Sequence, residues 1–178
     1  MRFLSILLTF GLAVGVLSAP ASKNKRDVAD YENVMYAVMD QIAVVDSLID
    51  SYVAGQIPGT DVQAANDVLI DIIEDSATAI TGFDPLTLLE VLGLIDVITG
   101  LVDEISLIMD KVIAAEPNFI ADGLDDEVLA GLQGLKTAGE NLRDALMPKI
   151  PSSVRDLAEE QAAEIIADLQ RAIDAYSD

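Results

Sequence analysis

Asp and Glu are the most abundant reactive side chains in this sequence, 31 of them against 10 Lys and Arg. Pairs of carboxylates serve glycoside hydrolysis as acid and base, and the cluster Asp122, Asp125, Asp126 and Glu127 has the charge to attract calcium. Neither pattern is distinctive. The cluster lacks the alternating oxygen ligands and the glycine of an EF-hand loop, so its expected role is to charge the start of a helix. Aromatic residues are 4% of the chain, too few for a cleft that stacks sugar rings. His and Cys are absent, which removes the usual serine triad, His-based zinc sites, thiol chemistry and disulfide scaffolds. The expectation is a protein that is not an enzyme, with no catalytic residue, no metal and no cofactor. What remains is hydrogen bonding by a few hydroxyls and the burial of aliphatic surface.

Charge narrows the partners. Four of the ten cations, Arg2, Lys23, Lys25 and Arg26, precede Asp27, and every carboxylate lies at or after it, so ten minus four leaves six cations among 31 carboxylates. Such a surface repels phosphate, and nucleic acid is not an expected partner. Yet 52% of the residues are apolar, nearly all of them aliphatic. An excess of Leu, Ile, Val and Ala in so acidic a chain implies a wholly aliphatic core, an internal cavity for an acyl chain, or an apolar face that adsorbs to a hydrophobic surface.

The elements that would position these side chains are helices throughout: an all-α antiparallel bundle of about five helices around a long central apolar helix. From Val28 to Val53 the residues Tyr31, Met35, Val38, Ile42, Val45, Ile49 and Tyr52 recur at alternating spacings of four and three, a seam for packing along a neighbour. A second helix is expected from Asp61 to about Thr81, with Thr60 and Gln63 as a capping box and Gly82 as its stop. The long central helix should begin with Asp84 as N-cap and Pro85 at its first position and end before Pro117, leaving Asn118–Gly123 as a connector. In it Val91, Leu94, Ile98, Leu101 and Ile105 share one face, while Leu88, Leu89, Leu92 and Val97 make the first three turns apolar nearly all round and place them in the middle of the domain or against lipid. Its charges, Glu90, Asp96, Asp103 and Glu104, argue against a membrane span. A fourth helix follows from Asp125, with the seam Val128, Leu132, Leu135, Gly139, Leu142 and Leu146. A turn between Pro148 and Pro151 leads to a fifth helix, capped by Ser152 or Ser153, with Ala158, Ala162, Ile165, Leu169, Ala172 and Tyr176 on its inner side.

Residues 1–21 combine Arg2, an apolar run and small residues near Ala21, the pattern of a secretory signal peptide. Residues 22–26 form a short basic propeptide or linker whose Lys25-Arg26 pair is a candidate processing site, and residues 27–178 form the helical domain. The protein is expected to be secreted and extracellular, at most loosely associated with a cell wall. Val91, Leu94, Ile98, Leu101 and Ile105 are the candidate contacts for an apolar ligand or surface, and Tyr31, Ser76 and Tyr176 the candidate hydrogen-bond donors to a ligand headgroup. For all eight the competing account is ordinary core packing. A different class of function is an adaptor that docks a partner protein through the acidic surface.

The Lys25-Arg26-Asp27-Val28 start, the Val112-Ile113-Ala114-Ala115-Glu116-Pro117-Asn118-Phe119 segment, Leu132-Gln133-Gly134-Leu135-Lys136 and the terminal Ala172-Ile173-Asp174-Ala175-Tyr176 together resemble the fungal hydrophobic surface-binding protein A family, which includes cell wall galactomannoproteins. The resemblance spans Asp27 to Asp178. It implies a secreted, non-enzymatic helical protein that adsorbs to hydrophobic surfaces. In some members it implies recruitment of a secreted polyester hydrolase, and in the galactomannoprotein branch a fatty acid held between helices. The chain lacks that branch's Ser/Thr-rich anchored tail, which weakens the expectation of stable wall attachment and heavy mannosylation.

Overall fold

The computed structural model describes residues 28–177; the expected signal peptide and the Lys25-Arg26 pair lie outside the described residues. Five helices follow one another: α1 (Val28–Val53), α2 (Gly59–Thr81), α3 (Leu88–Asp122), α4 (Asp125–Leu146) and α5 (Arg155–Ala175), with one turn of 3₁₀ helix at Met147–Lys149 between the last two. No strand occurs among the described residues. The all-α, five-helix expectation is met.

Helix α1 has the expected bounds, and all seven residues of its seam are buried. Three helix starts differ from expectation. Helix α2 begins at Gly59 behind Pro58, and no side chain caps it, so Thr60 and Gln63 do not form the expected box. Helix α3 begins at Leu88, because Thr87 and Glu90 make a reciprocal capping box: the Glu90 amide donates to Thr87 Oγ1 and the Thr87 amide to Glu90 Oε2. Asp84 and Pro85 therefore precede the helix, and the Asp84 carbonyl accepts instead from the Tyr31 hydroxyl at 2.7 Å. Helix α5 starts after Val154 with no side-chain cap from Ser152 or Ser153.

The end of α3 also differs. Pro117 cannot donate a backbone bond and crowds the preceding turn, yet the helix continues through it to Asp122 and closes at Gly123, whose φ of 69° is the left-handed geometry that favours glycine. Packing offsets the lost bond. Phe119, 1% exposed, stacks on Tyr52 with ring centroids 4.5 Å apart, and the Tyr52 hydroxyl donates to Asp122 Oδ2 at 2.9 Å. The expected connector is thus the last turn and a half of the helix.

Cross-helix contacts set the directions. Along α1 and α3, Tyr31 meets Phe83 just ahead of α3, Lys111 pairs with Asp46 and Asp50, and Tyr52 meets Phe119, so the two helices run parallel. Along α2 and α4, Gly131 faces Asn66 and Gly134 faces Ile70, again parallel. Helices α1, α3 and α5 run one way and α2 and α4 the other, so consecutive helices are antiparallel. The principal packing pairs are α1 with α2, α2 with α4, α4 with α5, α5 with α3 and α3 with α1, which close the five helices into a ring; α3 also touches α4.

Inside the ring the core falls into two clusters rather than one. The larger occupies the end where α1, α3 and α5 finish, the base, and includes Ile49, Tyr52, Val62, Val112, Phe119, Leu132, Ala172 and Tyr176. The smaller, at the opposite end, joins Tyr31, Met35, Ile80, Phe83, Leu86, Val91, Leu94 and Ile150. Lys149 ties that end together: its ammonium donates to the carbonyls of Thr81 and Phe83, and its own carbonyl accepts from the Leu86 amide. Pro148 and Pro151 flank this joint.

Candidate functional site

Inside the ring, lined by residues of both clusters, is a cavity of about 330 Å³, within the range of about 300 to 1,000 Å³ usual for small-molecule sites. All five helices line it. Met35 to Ile49 of α1, Val62 to Ile73 of α2, Val91 to Val112 of α3, Val128 to Leu146 of α4 and Leu157 to Leu169 of α5 supply the wall at helical spacing. At 1.5 Å per helical residue, the stretch from Val91 to Val112 makes the lining roughly 30 Å long. The void is therefore a narrow channel along the bundle axis.

Its chemistry is set by what faces inward. None of the carboxylates among the described residues lines the channel. Among the lining residues the polar ones are Gln63 and Asn66 on α2, Thr99 on α3, Arg143 on α4 and Gln161 on α5; the rest of the wall is almost wholly aliphatic, with Met35, Met109 and Met147 as deformable elements. Water gains few hydrogen bonds in such a space, whereas an alkyl chain gains about 0.8 kcal/mol for each methylene buried.

The channel reaches solvent where α3 and α5 separate. At their C-terminal ends the two helices are locked: the Tyr176 hydroxyl donates to the Val112 carbonyl at 2.8 Å, and Arg171 reaches Asp110 at 2.6 Å. Toward their N-terminal ends Leu92 (50% exposed), Ile95 (37%) and Leu157 (53%) are exposed and also line the channel. Leu88 and Leu89 continue this apolar rim, Leu89 being 79% exposed. The all-round apolar start of α3 thus belongs to the surface and not to the middle of the domain. On α5 the inner side changes in step: Ala158, Ala162 and Ile165 are half-buried where they face the channel, and Leu169, Ala172 and Tyr176 are buried where the helices close. Gly93 and Gly100 fall on this open half. A methyl group on Gly93 would meet nothing within 4 Å, so no backbone packs closely against it.

The structure brings Val91, Leu94, Ile98, Leu101 and Ile105 together on the channel wall. It places Tyr31, Ser76 and Tyr176 elsewhere. Tyr31 is buried in the smaller cluster with its hydroxyl on the Asp84 carbonyl, and desolvation together with the nearby Asp84 and Glu90 carboxylates pushes its pKa up to about 12. Tyr176 is held in the base, and burial raises its pKa further. Ser76 lies in a shallow groove between α1 and α2, beside Asn33, Val34 and Asp75. The polar residues that do line the channel escaped the sequence reading. The available signal for Arg143 was its position on α4, one turn beyond Gly139 and beside Leu142 on the inward side.

Residues 28–148 match the family described as hydrophobic surface binding protein A. Two Aspergillus proteins named cell wall mannoprotein 1 are each 28% identical over 178 residues. They align with 100% of this chain, which spans 63% of the A. flavus protein and 61% of the A. fumigatus protein. Among solved structures, ligand binding domain 1 of the Penicillium marneffei MP1 protein, complexed with arachidonic acids, superposes with a TM-score of 0.81 at 22% identity, covering 85% of this chain and 99% of that one. The AFMP4P protein in complex with palmitic acid superposes with a TM-score of 0.78 at 18% identity, covering 84% and 99%. At these identities the likeness is one of fold.

Proposed function

The chain belongs to the hydrophobic surface binding protein A family, and from that premise we propose that it is a non-enzymatic, extracellular lipid-binding protein that holds a single acyl chain in the channel between its helices. The observation that carries this reading is the channel: long, narrow, aliphatic, free of lining carboxylates and open beside an apolar rim. The rim of Leu88, Leu89, Leu92, Ile95 and Leu157 gives a second use of the same chemistry. It would rest on a hydrophobic surface, and a chain could pass between that surface and the channel without crossing the acidic exterior. The fatty acids in the superposed MP1 and AFMP4P structures, and the mannoprotein names of the Aspergillus relatives, support the substrate class and the setting. No helix among the described residues is long and apolar enough to cross a membrane, so any membrane contact by these helices would be peripheral.

The experiment is to fill the channel while leaving the core intact. Ala162 is half-buried on the wall. Ala162→Phe should abolish binding of a fluorescent fatty acid while changing stability by less than about 1 kcal/mol, because the ring enters empty space and not a packed site. Undiminished binding by the folded variant would overturn the channel reading. A second reading, docking of a secreted hydrolase through the acidic exterior, is favoured by the charge of -21. Its binding should weaken steeply with salt, whereas adsorption through the rim should not.

A further inference from the structure

Most long-chain lipids could enter an aliphatic channel; what selects among them is the headgroup site. Among the described residues Arg143 is the one charged side chain on the channel wall, on α4 near the open end, and no described carboxylate enters that lining. Its guanidinium is partly exposed. Nε and Nη2 both donate to a single oxygen, Asp144 Oδ1, at 3.0 and 2.8 Å, and Nη1 has no partner among the described residues. A guanidinium presents a planar fork that fits a carboxylate with two parallel bonds, and here half of that fork is unused. Gln161 and Thr99, from α5 and α3, are further hydrogen-bonding groups in the lining.

We infer that Arg143 is the carboxylate anchor of the channel, so that the protein prefers ionised single-chain fatty acids over neutral lipids of the same length. The inference rests on the reading of the channel as an acyl-chain site. The carboxylate would lie at the open end, and the tail would run down past Ile98, Leu101 and Ile105 toward Val112 and Val128 in the base. This arrangement meets the difficulty that an acidic protein poses for an anionic ligand, because the nearest charge inside the lining is positive. Asp144, Glu140 and Glu159 neighbour Arg143 and temper its field, so the preference is one of degree.

The test compares palmitate with methyl palmitate, equal in chain but neutral, by displacement of a fluorescent probe at pH 8. Wild type should bind palmitate about threefold to tenfold more tightly than the ester, the range expected of a partly exposed charge-assisted pair. Arg143→Gln should remove that preference by weakening palmitate alone, with ester binding unchanged as the internal control for folding and for the channel. Asp144→Asn, which removes the competing carboxylate, should enlarge it. An Arg143→Gln protein that keeps the wild-type preference would overturn the anchor and leave the channel reading standing. Failure of wild type to bind either lipid would instead overturn both.

Discussion

The two ends of the helix ring are built from similar aliphatic residues and do different work. At the base, the rings of Tyr52, Phe119 and Tyr176 fill the space between α1, α3 and α5. Ion pairs from Lys111 to Asp46 and Asp50, and from Arg171 to Asp110, pin the same helices from outside. At the other end α3 and α5 part, their facing residues are half-exposed, and Leu89 and Leu92 meet solvent. Stability and binding are thereby separated along one axis. A base that is packed and cross-linked lets the same helices stand apart further along without unfolding. The lesson is that aliphatic excess in a small bundle has two destinations, a packed core and the wall of a cavity.

Substitutions at the base should be the most damaging. Phe119→Ala removes the ring shared by Tyr52 and Tyr176 and should lower stability by about 3 to 5 kcal/mol in denaturant melts. Palmitate affinity measured on the folded fraction should be little changed. A small stability loss would mean that the base is not the clamp. Next in size is Gly59→Ala, at the start of α2. The added methyl would lie 2.6 Å from Leu124 Cδ1 and 3.2 Å from the Tyr52 ring, so side chains must shift, at a cost of about 1 to 3 kcal/mol.

Glu104 lies midway between the ends, on α3 near Asp40 and Asp46 of α1 and off the channel wall. One of its carboxylate oxygens is buried without a partner, and burial together with the charges of Asp40 and Asp46 raises its pKa above the ordinary 4.5. A group whose folded pKa is raised supports the fold fully below its unfolded value, and that support is lost as pH rises through the folded value. Glu104→Gln should therefore be more stable than wild type by about 1 kcal/mol at pH 7, with the gap closing as the pH is lowered toward 4. Thermal melts across that range check it, and a gap that widens on acidification would contradict the assignment. The smallest stability effect is expected at the rim. Leu89→Ser should change stability by less than about 0.5 kcal/mol, yet reduce depletion of the protein onto hydrophobic beads.

The sequence announced α1 most clearly, because one seam of seven residues packs against both neighbours and little else competes for them. The ends of α3 were harder to place. Asp84-Pro85 carries a strong local start signal, but the Thr87–Glu90 pair, also visible in the sequence, captures the helix start instead. Pro117 signals a stop that the Phe119 anchor overrides, and that anchor depends on Tyr52, 67 residues earlier (119 minus 52). The channel wall on α3 was legible as an apolar stripe, since wall and core obey the same periodicity. That the stripe encloses space was not, because a void depends on how five helices are spaced and not on the pattern along any one. For the same reason Leu89 and Leu92 read as interior residues. Tyr31 and Tyr176 were plausible donors by type, but each is held by a carbonyl from a distant part of the chain.

The most direct test of the central claim is native mass spectrometry of the protein purified from a lipid-containing culture, with extraction and identification of whatever accompanies it. The account predicts a single-chain fatty acid bound in stoichiometric amount, retained by wild type and missing from Ala162→Phe. A wild-type protein that emerges empty and takes up no added palmitate would contradict it.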